Sequence, residues 1–98
     1  MSVQLIIELS HEEGIDAVLG ALEMRKRRLR DSIMRTKRRL DEPEKAHGVT
    51  TSYFLNNMTA EDLAGGDMEY VEWAGEAALL KGLEDELAEL EHANYQLP

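Results

Sequence analysis

Ninety-eight residues with a formal net charge of −9 make one small domain with a thin core, of the size that often completes itself with a partner chain. The sequence holds no cysteine, which excludes disulfides, thiolate metal sites and cysteine nucleophiles and fits a reducing cytoplasm. The amino terminus "MSVQLIIELSHEE" lacks the basic start of a signal peptide, and no stretch approaches the roughly 20 apolar residues of a membrane span, so the expected location is the cytoplasm, without membrane contact.

The chain opens on "VQLIIEL". Val3, Leu5, Ile7 and Leu9 share one face and Gln4, Ile6, Glu8 and Ser10 the other, the period of a half-buried strand. Ser10 stands three residues before Glu13, the spacing of a capping box, and predicts a helix start near His11 with Glu12, Glu13 and Asp16 in the first turn. Ile15, Leu19, Leu22, Lys26, Leu29, Ile33, Thr36 and Leu40 then repeat every four and three residues, thickened by Val18: a coiled-coil-like seam with two polar interruptions. Pro43 is expected to end or kink this helix near Asp41–Glu42.

Between residues 43 and 67 the pattern breaks into short turns. Gly48 suits a helix C-terminus, Thr50 or Thr51 a cap for a turn carrying Tyr53, Phe54 and Leu55, and Thr59 a cap for "AEDL". Gly65–Gly66 interrupts, and Asp67 can cap the last helix. That helix carries Trp73, Ala77, Leu80, Leu83, Leu87 and Leu90 as its apolar stripe. The expected architecture is mainly α: an antiparallel two-helix hairpin forming a single domain over 1–98, with a strand at 1–10, a long helix at 11–42, a lid at 43–67 and a second long helix at 68–93. Tyr53, Phe54, Tyr70 and Trp73 are read as structural, with Trp73 buried under a lid of Tyr53, Phe54 and Leu55.

Charge is unevenly placed. Residues 1–60 hold ten basic and nine acidic groups, residues 61–98 one and eleven, and nine of the eleven bases fall between Arg25 and Arg39. On a helical wheel they surround the cylinder. The acidic last helix is their obvious counterpart: with a first helix reaching Ala46, Arg25–Arg30 face Glu84–Glu89, and with one ending at Leu40 the basic run shifts toward Glu69–Glu76 and Arg25–Arg30 face few acids. Arg25, Arg27, Arg28 and Arg38 are the nucleic-acid contacts if the run instead binds phosphate.

The catalytic inventory is thin. His11, His47 and His92 form no helical metal pair, and no phosphate-binding glycine loop or nucleophile elbow occurs. Neither an enzyme, a metal site nor a cofactor is expected.

"AHGVTTSYFLNNMTAEDLAGGDMEYVEWAGEAALLKGLEDELAEL" resembles the C-terminal half of a largely uncharacterised family of small archaeal and bacterial helical-hairpin proteins, in which "YGM-S/T-xxxF" precedes "GDDxxYxEW" and a leucine-repeat helix. His47–Gly48–Val49–Thr50 stand for "YGMS" and depart from it at His47 and Val49; Phe54 stands for the Phe, and Gly66–Asp67 with Tyr70, Glu72 and Trp73 for the acidic turn as "GDxxYxEW". The resemblance implies an antitoxin-like protein paired with a toxin-like partner. The opening strand, cap and helix also look like ribbon-helix-helix antitoxins, but the outward Gln4, Ile6 and Glu8 and the uninterrupted helix depart from that pattern, so DNA reading is not carried over. The expected function is therefore a non-enzymatic, homodimeric interaction protein. Val3, Leu5, Ile7 and Leu9 pair with a second copy, and the strand edge or helix faces take a partner protein. The alternative is a nucleic-acid-binding regulator.

Overall fold

The 4-3 spacing from Ile15 to Leu40 folds into one helix, α1 (Glu13–His47). In this computed structural model residues 1–95 are described. α1 is followed by α2 (Thr51–Asn57), a 3₁₀ turn at Ala60–Asp62 and α3 (Gly66–Glu91). α3 returns along α1. His47 meets Glu69, Arg39 meets Glu76 and Arg25 meets Glu86, so the contacts descend α1 as they climb α3. The resulting hairpin measures 59 × 27 × 19 Å. No helix among the described residues is long and apolar enough to cross a membrane.

Two boundaries of α1 differ from expectation. The helix does not stop at Pro43 but runs through it to His47. Proline removes one amide donor and crowds the preceding turn, yet the four residues beyond it are tied down. Glu44 accepts from the amide and hydroxyl of Thr51 (2.7 and 2.8 Å), and His47 pairs with Glu69. Gly48 then ends the helix at φ 65°, a left-handed position that glycine adopts without strain. At the other end the Ser10–Glu13 capping box does not form. Residues 10–12 make a turn, with His11 and Glu12 carbonyls accepting from the amides of Gly14 and Ile15, and Glu12 makes no side-chain cap. Leu9 lies over Gly14, 3.3 Å from where a Cβ would stand, a seat open only because residue 14 has none.

The core sits at the closed end. Leu40, Phe54, Leu63 and Trp73 form one buried cluster, with Val49, Met58, Tyr70, Ala74 and Leu80 packed around it. Leu29, Ile33 and Thr36 continue the seam down α1. Thr36 is satisfied there: its hydroxyl donates to the Ser32 carbonyl at 2.8 Å and accepts from Arg39 at 3.1 Å. In the connection, Thr50 caps α2 by accepting from the Tyr53 amide, and Asp62 accepts from the Thr59 amide. α3 starts one residue before Asp67, with Gly65 rather than Asp67 at the cap position. Glu69 takes the Gly65 amide at 2.8 Å.

The strand expected over residues 1–10 is not formed in the isolated chain: residues 1–9 have no regular secondary structure and are exposed. A strand needs a ladder partner, and among the described residues no other segment forms a strand; 51–57 is helical. The single chain likewise contains no pairing of the kind expected across a dimer.

Candidate functional site

Three groups of residues were singled out by the sequence, and the hairpin keeps them apart. Val3, Leu5, Ile7 and Leu9 lie on the open end, ahead of α1. Val3 is 93% and Leu5 84% exposed, and Ile6 on the opposite face is as bare as Leu5. Alternation therefore does not separate a wet face from a dry one in the free chain. What remains is a run of five large apolar side chains with an unpaired backbone beside it.

The basic run lies on the middle of α1, where α3 covers part of it. Arg25 donates to Glu86 at 2.6 Å, Arg39 to Glu76 at 3.0 Å, and Arg30 approaches Glu91 at 3.8 Å. The Arg25–Glu86 and Arg39–Glu76 pairs belong to the register in which the first helix reaches Ala46, while Arg30 reaches one turn beyond it to Glu91. Glu86 is held below the ordinary carboxylate range by the hydrogen bond from Arg25. Lys26, an apparent flaw in the seam, is largely covered and bonds Glu23 at 2.8 Å, which pushes its amine upward. Arg27, Arg28 and Arg38, three of the four residues named for nucleic acid, form no ion pair among the described residues. The fourth, Arg25, is engaged by Glu86.

The aromatic group assembles at the closed end around Trp73, which is 2% exposed. Phe54 stacks on it with ring centroids 3.9 Å apart and planes 1° from parallel, Tyr70 tilts onto Phe54 at 5.0 Å, and His47 stacks on the indole at 5.5 Å. Trp73 Nε1 donates to the Thr51 hydroxyl at 3.0 Å, and that hydroxyl in turn donates a hydrogen bond to Glu44 at 2.8 Å. His47 and Glu69 meet at 2.5 Å. Glu69 is held below its ordinary range first by that bond and then by the Gly65 amide. These links join the end of α1, the start of α2 and the start of α3, so the cluster is a fastening. Tyr53 and Leu55 were expected in the lid but are exposed: α2 is only seven residues long, and a single turn directs one side chain of three inward. Among the described residues no three His, Asp or Glu side chains converge as a metal site would require.

One surface was not anticipated. Met68, Val71 and Leu79 stand exposed on the side of α3 away from Trp73. The signal was present in the three-and-four spacing of Met68, Val71, Gly75, Ala78, Leu79 and Gly82, hidden behind the stronger leucine stripe of the inner face.

Compared with known proteins, the sequence matches no family model, no curated protein and no solved structure.

Proposed function

We propose that this chain is a non-enzymatic, homo-oligomeric interaction protein, antitoxin-like in organisation, whose N-terminal segment Val3–Leu9 is its binding element. Two copies of the segment pair antiparallel about a two-fold axis, and the outer edges of that ribbon accept an extended segment of a partner protein. The observation that supports this reading is the exposure of Val3, Leu5, Ile6, Ile7 and Leu9 together on a segment whose backbone has no internal partner. Contiguous apolar exposure of this kind marks an interaction surface, and β-branched and leucine residues at successive positions suit a pleated one. The seven residues from Val3 to Leu9 span about 23 Å when extended, enough for a ladder. Leu5→Pro removes a ladder donor. Sedimentation of the wild-type chain should show an assembly that this substitution reduces; an unchanged mass contradicts the reading.

A second reading is favoured by one observation: Arg27, Arg28 and Arg38 have no acidic partner among the described residues, as phosphate-binding arginines would require. The net charge of −9 opposes it at long range. A salt-dependent gel shift near physiological ionic strength, abolished by neutralising these three arginines, would favour nucleic-acid binding over the first reading.

A further inference from the structure

We propose that the side of the hairpin opposite α2 is an interface between two copies of this chain, packed as a four-helix bundle about a two-fold axis parallel to the helices. The proposal rests on the reading of the protein as a homo-oligomer and supplies the surface that brings the two Val3–Leu9 segments together.

The two sides of the hairpin differ. On one, α2 shares a cleft with both long helices: Ser52 and Leu55 line it with Lys37 of α1 and Lys81 of α3. At about 100° per residue, Arg25, Arg28, Arg35 and Arg39 fall on the other flank of the Leu29–Leu40 seam. Their contacts fix the matching flank of α3, since Arg25 reaches Glu86 and Arg39 reaches Glu76 there. That side is open, with the Arg25 and Arg39 side chains 52% and 49% exposed. It carries two parallel ridges. The ridge on α1 is basic. The ridge on α3 is acidic and apolar, with Glu72, Glu76 and Glu86 beside the half-buried Leu83, Leu87 and Leu90. The only base of α3, Lys81, lies on the α2 side.

Two kinds of two-fold axis bring this side against itself. An axis across the helices sets arginine ridge on arginine ridge and glutamate ridge on glutamate ridge, which like-charge repulsion disfavours. An axis along the helices sets each α1 on the α3 of the other copy. It also keeps every residue at its height, so α1 meets the second α3 in the register it already has with its own. Arg28 then stands at Glu86, Arg35 at Glu76 and Arg39 at Glu72 of the other copy. The one approach of like sign is Glu42 to Glu72, with Arg39 within a turn of it. The arginine stems lie over Leu83 and Leu90. Over the 26 residues of α3, about 39 Å, two helices each about 10 Å wide present roughly 780 Å² per copy, the size of a standard stable interface.

The N-terminal segment leaves on the same side. Gly14, Ala21, Arg28 and Arg35 stand seven residues apart along the open flank of α1, and Leu9 sits on Gly14. An axis along the helices brings both segments out at one end of the bundle. Laid across that end, perpendicular to the axis, the two strands are antiparallel to each other.

Sedimentation of the full chain tests this, with circular dichroism to confirm that each variant folds. Arg28 and Arg35 form no ion pair among the described residues, so Arg28→Glu combined with Arg35→Glu leaves the hairpin its own pairs. This variant should weaken self-association by about ten-fold or more; an unchanged assembly overturns the proposal. Spin labels read the axis, since the sequence has no cysteine to compete. Gly20→Cys, Asp31→Cys and Lys45→Cys, labelled singly, should give one common separation between copies. A separation that changes along α1 places the axis across the helices and overturns the bundle. Leu5→Pro in the same series distinguishes the two surfaces. Mass lost with Leu5→Pro alone overturns the bundle and keeps the strand pairing; mass lost with the arginine variant alone does the reverse; mass kept by both, or a wild-type chain that is monomeric at high micromolar concentration, overturns both.

Discussion

A Trp73→Ala chain is expected to lose about 3–5 kcal/mol of folding stability, the cost of deleting a buried aromatic side chain. Three contributions can be named from the geometry. The stacked contact with Phe54 at 3.9 Å is worth about 0.5–1.5 kcal/mol beyond simple burial. The hydrogen bond from Nε1 to Thr51 contributes about 1 kcal/mol. The remainder is apolar transfer and the cavity left among Leu40, Phe54 and Leu63. Against the roughly 5–15 kcal/mol of an ordinary domain, this is enough to leave much of the chain unfolded at the low end of that range. Trp73→Phe keeps a ring on Phe54 but loses the donor to Thr51, and should cost about 1–2 kcal/mol. Urea unfolding followed by far-ultraviolet circular dichroism measures both, since the substitutions remove the only tryptophan. A loss below about 1 kcal/mol for Trp73→Ala, the size of an average substitution, would refute the fastening of α1, α2 and α3 through this residue.

Pro43 lies within α1, so Pro43→Ala restores an amide donor and should raise stability by up to about 3 kcal/mol; a lower urea midpoint would show that the proline is part of the packing. Glu69 is held below its ordinary range by His47 and the Gly65 amide. A carboxyl depressed in the folded state stabilises the fold above its unfolded pKa, about 4.3, and that contribution is lost as pH falls through the folded value. The melting temperature should therefore drop as the solution is taken below that range, with a shallower fall in Glu69→Gln; superimposable profiles would contradict the pairing. The isolated chain should bind no duplex DNA at submicromolar concentration near physiological salt, measured by gel shift, because Arg25, Arg30 and Arg39 face acids on α3 and the remaining arginines act against an acidic whole.

The sequence showed two long helices because their apolar residues repeat at helical spacing over many turns, and it located the caps at Gly48 and Thr59, and narrowed the α2 cap to Thr50 or Thr51, because glycine and threonine act there through their own backbone and side-chain chemistry. The pairing of Phe54 with Trp73 was legible for a similar reason: the connection holds the chain's only phenylalanine, and the stripe of α3 begins beside it. What escaped depends on contacts distant in sequence. Whether α1 survives Pro43 is decided by Thr51 and Glu69 reaching back to Glu44 and His47, and that outcome sets the register of the arginine–glutamate pairs. The Ser10 cap yields to a turn beneath which Leu9 sits on Gly14, a tertiary contact that local spacing does not report. Tyr53 and Leu55 share a turn with Phe54, and their orientation follows only once α2 is docked. The candidate surfaces were half legible. The alternating segment announces itself, while the outer stripe of α3 is diluted by Gly75, Ala78 and Gly82.

Amide hydrogen exchange of residues 3–9 in the wild-type chain, followed from low to high micromolar concentration, tests the central claim most directly. Strand pairing between copies should slow exchange in this segment as concentration rises, alternating along it as ladder bonds alternate, together with an increase in sedimenting mass. Exchange at the rate of an unstructured peptide at every concentration, from a chain of monomer mass, would contradict the account.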